Sequence, residues 1–122
     1  MSESKKILVI GASTNRNRYS YKATERLKAH GHNVVLLGNR HGEIFGEKIE
    51  TEKRTFKDIH TVTLYIGAKI QPDYYDYIVS LKPKRVIFNP GTENPEFEKL
   101  LQKNNIEAIE ACTLVMLSIG NF

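Results

Sequence analysis

Unbroken apolar runs recur along this chain, and each ends in a glycine or a polar turn. Lys5-Lys6-Ile7-Leu8-Val9-Ile10 stops at Gly11, the pattern of a strand covered on both faces in a parallel sheet. From Ser20 to His30 the period changes. Tyr21, Ala23, Thr24, Leu27 and Ala29 recur among Lys22, Glu25, Arg26 and Lys28, which predicts a helix with one apolar face and Gly31 as its stop. Asn33 to Leu37 is a second apolar run, so residues 5–37 read as a β-α-β unit of about 30 residues with parallel strands.

Residues 39–56 carry Gly42, Gly46 and mixed charges with little periodicity. They predict an irregular connection with a short extended piece from Glu43 to Ile49. His60 to Ile66 is β-branched and aromatic and predicts a third strand; Pro72 suits the first turn of a helix running to Leu81. Lys84 to Asn89 reads as a fourth strand and Pro90-Gly91-Thr92 as a turn. Asn94 or Thr92 caps a helix reaching Asn104, Asn105 to Ile109 returns as a fifth strand, and Thr113 to Ile119 packs as a short helix or tail. The expectation is a Rossmann-like three-layer α/β/α sandwich with five parallel strands in the order 3-2-1-4-5.

Length fits one domain, residues 1–122, with no internal repeat or linker. Any chemistry would then fall to this unit or to a partner. The surplus of 18 Lys and Arg over 14 Asp and Glu favours an anionic ligand without requiring nucleic acid. The polar start from Met1 to Lys6, the lack of a membrane-length apolar stretch and the lone Cys112, which has no disulfide partner in the chain, point to the cytoplasm. Nothing here sets an oligomeric state.

In an open α/β sheet, ligands bind beyond the carboxyl ends of the strands. The first strand leads through Gly11-Ala12-Ser13-Thr14-Asn15 and Arg16-Asn17-Arg18-Tyr19-Ser20 into the helix. Backbone N–H groups, hydroxyls and guanidinium groups gather there, and phosphate is their natural occupant. The G-x-G-x-x-G pattern of dinucleotide enzymes is absent. No acidic residue follows the second strand; instead Gly38-Asn39-Arg40-His41 does, and Arg40 suits an extra ribose phosphate, as in NADP or coenzyme A. Tyr65-Ile66-Gly67 and Asn89-Pro90-Gly91 end the next two strands and let a ligand arm pass close to the backbone.

With Gly11-Ala12-Ser13, Arg18-Tyr19-Ser20, Asn39-Arg40 and Ile44-Phe45-Gly46-Glu47-Lys48 in this order, the chain resembles the small CoA-binding-domain family from Ile7 through Cys112. That family is similar to the N-terminal domain of the succinyl-CoA synthetase α subunit. The resemblance implies that the Gly11 to Asn15 turn and Ser20 hold phosphates, that Arg40 lies near the phosphorylated ribose, and that Ile66 and Asn89-Pro90-Gly91 border the rest of the ligand. Coenzyme A or an acyl-CoA is the implied cofactor. The synthetase carries its reactive histidine in a separate domain, so ligase activity is not implied. Members often place a proline between the asparagine and the basic residue; here Asn39 precedes Arg40 directly.

His30, His32, His41 and His60 show no metal-ligand spacing. No nucleophile triad or acid–base pair is visible, and Cys112 reads as a small buried apolar residue. The leading expectation is a CoA-binding module without its own catalysis, bound to a small nucleotide ligand and not to nucleic acid or a membrane. The alternative is a small NADP-dependent oxidoreductase or another NAD(P)-binding protein.

Overall fold

The structure, a computed structural model, describes residues 4–122. The first apolar run forms β1 (Lys6–Ile10), whose Ile7, Leu8, Val9 and Ile10 are all inaccessible to solvent. Alternation along the strand sends Ile7 and Val9 into one apolar cluster and Leu8 and Ile10 into another on the opposite face. The helical period produces α1 (Tyr19–Ala29), which buries Ala23 and Leu27. It ends where Gly31 adopts a left-handed φ of 83°. β2 (Asn33–Leu37) then pairs parallel with β1, from Lys6 opposite Asn33 to Ile10 opposite Leu37.

The expected order 3-2-1-4-5 and the count of five parallel strands are corrected here. The segment expected to be mostly irregular makes an antiparallel hairpin, β3 (Gly42–Ile44) with β4 (Glu47–Glu50). Its two-residue tip, Phe45 and Gly46, has positive φ at both positions, the backbone that fits the twist of a tight hairpin. Ile44 and Ile49 are buried, the Phe45 ring packs 4.9 Å from Tyr21, and Lys28 Nζ donates to the Phe45 carbonyl and the Glu47 carboxylate. With these anchors β4 pairs parallel with β2, Leu36 opposite Ile49. The free edge of β2 is thereby taken, and β5 (Thr61–Leu64) adds to the other side of β1, Ile10 opposite Leu64.

β6 (Arg85–Phe88) and β7 (Glu107–Glu110) follow in parallel, giving seven strands in the order β3-β4-β2-β1-β5-β6-β7. Pro72 sits in a 3-10 turn, Gln71–Tyr74, ahead of α2 (Tyr75–Leu81). α3 (Pro95–Lys103) starts at Asn94, whose side chain accepts from the Phe97 N–H at 3.1 Å. α4 (Thr113–Ser118) closes the chain's regular structure.

Ile78, Leu81, Phe97 and Leu101 of α2 and α3 pack with Leu8 and Ile10; Leu27 and Leu117 of α1 and α4 pack with Ile7 and Val9. Each central strand is thus covered on both faces. The helix that follows β1 lies on one face and the helix that follows β5 on the other. A crevice must open between the carboxyl ends of these two neighbouring strands. Among the described residues no helix is long and apolar enough to cross a membrane.

Candidate functional site

The crevice is a cleft of about 980 Å³ at the carboxyl ends of β1, β2, β5 and β6. It gathers every residue expected from the sequence except Asn89. The first wall is the β1–α1 loop, contributing Gly11, Ala12, Ser13, Thr14 and Asn15, then Arg18, Tyr19 and Ser20.

Gly11 has φ 95°, and a Cβ there would stand 3.0 Å from the Tyr65 carbonyl, so the ends of β1 and β5 come this close only with glycine. Gly38 is constrained equally: a Cβ would overlap the Ala12 carbonyl oxygen. These close approaches set which amides face the cleft. The Leu37 carbonyl accepts the N–H groups of both Gly11 and Ala12, at 2.9 and 3.0 Å, so these two amides are engaged within the sheet and cannot serve a ligand. The expected phosphate turn narrows accordingly. Asn15 N–H donates to Ser13 Oγ, Asn17 N–H to Asn15 Oδ1 and Arg18 N–H to the Asn15 carbonyl. The amides of Ser13 and Thr14 have no acceptor among the described residues.

The start of α1 adds further donors. Its N-cap is Arg18, which makes no capping hydrogen bond, and its first turn holds no acidic residue. The amides of Tyr19, Ser20 and Tyr21 have no acceptor within the helix by geometry, and the helix dipole places partial positive charge there. Asn39 and Arg40, both exposed, form the second wall. Neither Arg18 nor Arg40 makes an ion pair among the described residues.

Tyr65 and Ile66 form the third wall, with Pro90 and Gly91 beside them. A side chain that the sequence reading missed joins these two loops. Gln71 is fully buried, and its Nε2 donates to the Ile66 carbonyl at 2.9 Å and the Thr92 carbonyl at 2.7 Å. Its Oε1 accepts from Asn94 Nδ2, which also donates to the Tyr75 hydroxyl. Asn17, Gly67, Ile70 and Thr92 line the cleft as well. Ile70 is half exposed at the rim, and Tyr19, also lining the cleft, is exposed.

Asn89, expected to border the ligand, lies outside the cleft lining and forms a brace. It is 2% exposed, donates to Thr63 Oγ1 at 2.7 Å and the Leu64 carbonyl at 2.9 Å, and accepts from the Thr113 N–H. All its capacity ties β5, β6 and α4 together beneath the cleft. Tyr65 above it has its phenol pKa pushed up to about 12 by burial, against the smaller effect of hydrogen bonds with Thr63 and Thr113. It is therefore a neutral hydroxyl at physiological pH. Cys112 is half-buried and lies outside the cleft lining. The histidines are dispersed: His32 Nδ1 accepts from the Lys5 N–H, and His41 meets Thr51. Among the described residues no group of three His, Cys, Asp or Glu side chains could hold a metal ion.

Residues 5–118 match the family model described as CoA binding domain. A solved structure of an uncharacterized protein is 52% identical, with a TM-score of 0.97 over 99% of this chain and 100% of its own. A Thermus thermophilus protein, cell-free ID.343, is similar at 24% identity and TM-score 0.85, covering 98% of this chain and 91% of that one. A conserved hypothetical protein from Pyrococcus furiosus is similar at 26% identity and TM-score 0.80, covering 91% and 97%. No curated protein matches. With the matched span reaching from the start of β1 to the end of α4, this chain belongs to the CoA-binding-domain family.

Proposed function

We propose that residues 1–122 work as one cytoplasmic domain that binds coenzyme A or an acyl-CoA through its nucleotide end, without ligase chemistry of its own. The observation that carries this reading is the set of uncommitted donors at the crossover mouth: the Ser13 and Thr14 amides, the α1 N-terminus, and the guanidinium groups of Arg18 and Arg40. Such donors suit a pyrophosphate, because an anion beside several fixed N–H groups and a helix N-terminus gains charge-assisted bonds.

In this reading the diphosphate lies over Ser13, Thr14 and Ser20, and the ribose phosphate lies toward Asn39 and Arg40. The adenine or pantetheine arm runs along Ile66, Ile70, Pro90 and Gly91. The cleft is large enough for a ligand of this class. The resemblance to the succinyl-CoA synthetase α subunit extends to the nucleotide-binding domain alone. The neutral Tyr65 is suited to hydrogen bonding and not to proton abstraction.

Calorimetric titration with CoA, dephospho-CoA, NADP and NAD tests the reading. CoA is expected to bind, with dephospho-CoA weaker by about tenfold, the worth of one charge-assisted contact to Arg40. Selective NADP binding would transfer the assignment to a nicotinamide cofactor, and no binding of any of the four would overturn it.

A further inference from the structure

A second concave surface lies at the other end of the sheet, where β1, β5 and β6 begin and α2 ends. It is a cavity of about 490 Å³. β1 runs from this cavity at Lys6 to the nucleotide cleft at Gly11, so the two lie roughly 17 Å apart at the rise of a strand.

Charge sets this cavity apart. Among the described residues its lining holds Lys5, Lys6, Lys82 and Lys84 against one carboxylate, Asp58. Four lysines against one aspartate leaves a formal charge of +3, most of the chain's net +4. Among the described residues none of the four makes an ion pair, although the chain pairs other surface cations, as Lys28 with Glu47. His60 on the same lining senses this field: its imidazole pKa is lowered first by burial and then by Arg85, Lys5 and Lys84. The lysines come from three separate segments, the start of β1, the end of α2 and the start of β6. Lys82 also ends α2 in the left-handed conformation, φ 51° and ψ 51°, where glycine is the usual residue and a side chain costs about 1 kcal/mol.

We propose that this basal cavity is a second anion site, taking a small multivalent phosphate of the diphosphate class and separate from the nucleotide cleft. Ammonium groups on flexible stems act as point charges toward phosphate, and cations lining a concavity gain more than the same charges spread over a plane; the Lys5 ammonium rests 5.8 Å from the Phe122 ring centroid, which leaves Lys6, Lys82 and Lys84 as the principal contacts. The dimensions fit a small ligand. A single-stranded nucleic acid would call for aromatic stacking platforms, and among the described residues no aromatic ring other than the His60 imidazole lines the cavity.

The test uses inorganic pyrophosphate as the probe, titrated by calorimetry at low ionic strength into the R18A/R40A protein, whose nucleotide cleft keeps only its backbone donors. Binding is expected, and the part of it that belongs to the basal cavity is read from variants that leave the cleft unchanged. In a protein that also carries Lys82→Gln and Lys84→Gln, affinity should fall by roughly tenfold or more; Lys82 and Lys84 are exposed, so an unchanged melting temperature confirms folding. Asp58→Asn should shift affinity the opposite way, tightening it by removing a repelling charge. The proposal is overturned if the R18A/R40A protein binds no pyrophosphate, or if its affinity is indifferent to both the lysine and the aspartate changes. Lys82, Lys84 and Asp58 lie outside the nucleotide cleft, so the differences among these proteins report on the basal cavity whether or not coenzyme A binds the cleft.

Discussion

Gln71 holds two loops with one amide, since its Nε2 serves both the Ile66 and the Thr92 carbonyls. Replacing it by leucine keeps most of the volume and leaves both carbonyls unpaired, so Gln71→Leu should cost about 1–3 kcal/mol in chemical denaturation. CoA affinity should fall with it, because Ile66 and Gly91 lose their fixed spacing; full affinity in a destabilised Q71L protein would show that the spacing is unimportant. Neither Gln71 nor the role of Asn89 was legible in the sequence. A glutamine in a polar stretch reads as surface, and only the fold reveals the carbonyls around it. Asn89 became readable only once the strand faces were known. It shares strand parity with Arg85, which bonds Thr61, and the same parity aims Asn89 at Thr63 beneath α4.

At the level of elements, periodicity in the chain located β1, α1, β2, β5, β6 and α3 to within a few residues, because each carries a buried run or face. The hairpin was only partly legible. Its strands are three and four residues long with one buried isoleucine each, too short for alternation to register, and its insertion beside β2 displaced the expected strand order. Gly46 at its tip has φ 81°, so Gly46→Ala is expected to cost about 1 kcal/mol and to loosen β4 against β2, seen as faster amide exchange at Ile49 with β1 unaffected. Faster exchange spread evenly over the sheet would argue against a hairpin that opens locally. At the start of α3, Asn94→Ala removes the cap on Phe97 N–H and should lower stability by roughly 1 kcal/mol, read from a denaturant midpoint.

Over the whole molecule, the two ends of the sheet carry different chemistry. Amides without a protein acceptor lie at the carboxyl end, and a basic cavity lined by His60 lies at the other. His32 and His60 have pKa values below the ordinary imidazole value, chiefly through burial and then through nearby Lys and Arg charges. A depressed folded-state pKa means the unfolded chain takes up protons that the folded chain refuses, so this stability is complete above the unfolded pKa and is lost as pH falls below about 6.5. Protonating His32 also forfeits the bond its Nδ1 accepts from the Lys5 N–H. The melting temperature should therefore drop between about pH 7.5 and pH 5.5, and His32→Gln should flatten the drop; identical profiles for the two proteins would remove His32 from the account. A net charge of +4 was visible in the sequence, but a basic cavity at the base of the sheet was not, because Lys5, Lys82 and Lys84 come to line one cavity only through the parallel order of β1, β5 and β6.

The central claim concerns the donors at the mouth of the first crossover, and amide chemical shifts recorded during a CoA titration address it most directly. The largest changes are expected at Ser13, Thr14, Tyr19 and Ser20, with smaller ones at Arg40 and Ile66. Gly11 and Ala12 should move little, since the Leu37 carbonyl already holds their N–H groups. Saturable binding with those four amides unmoved would contradict the account.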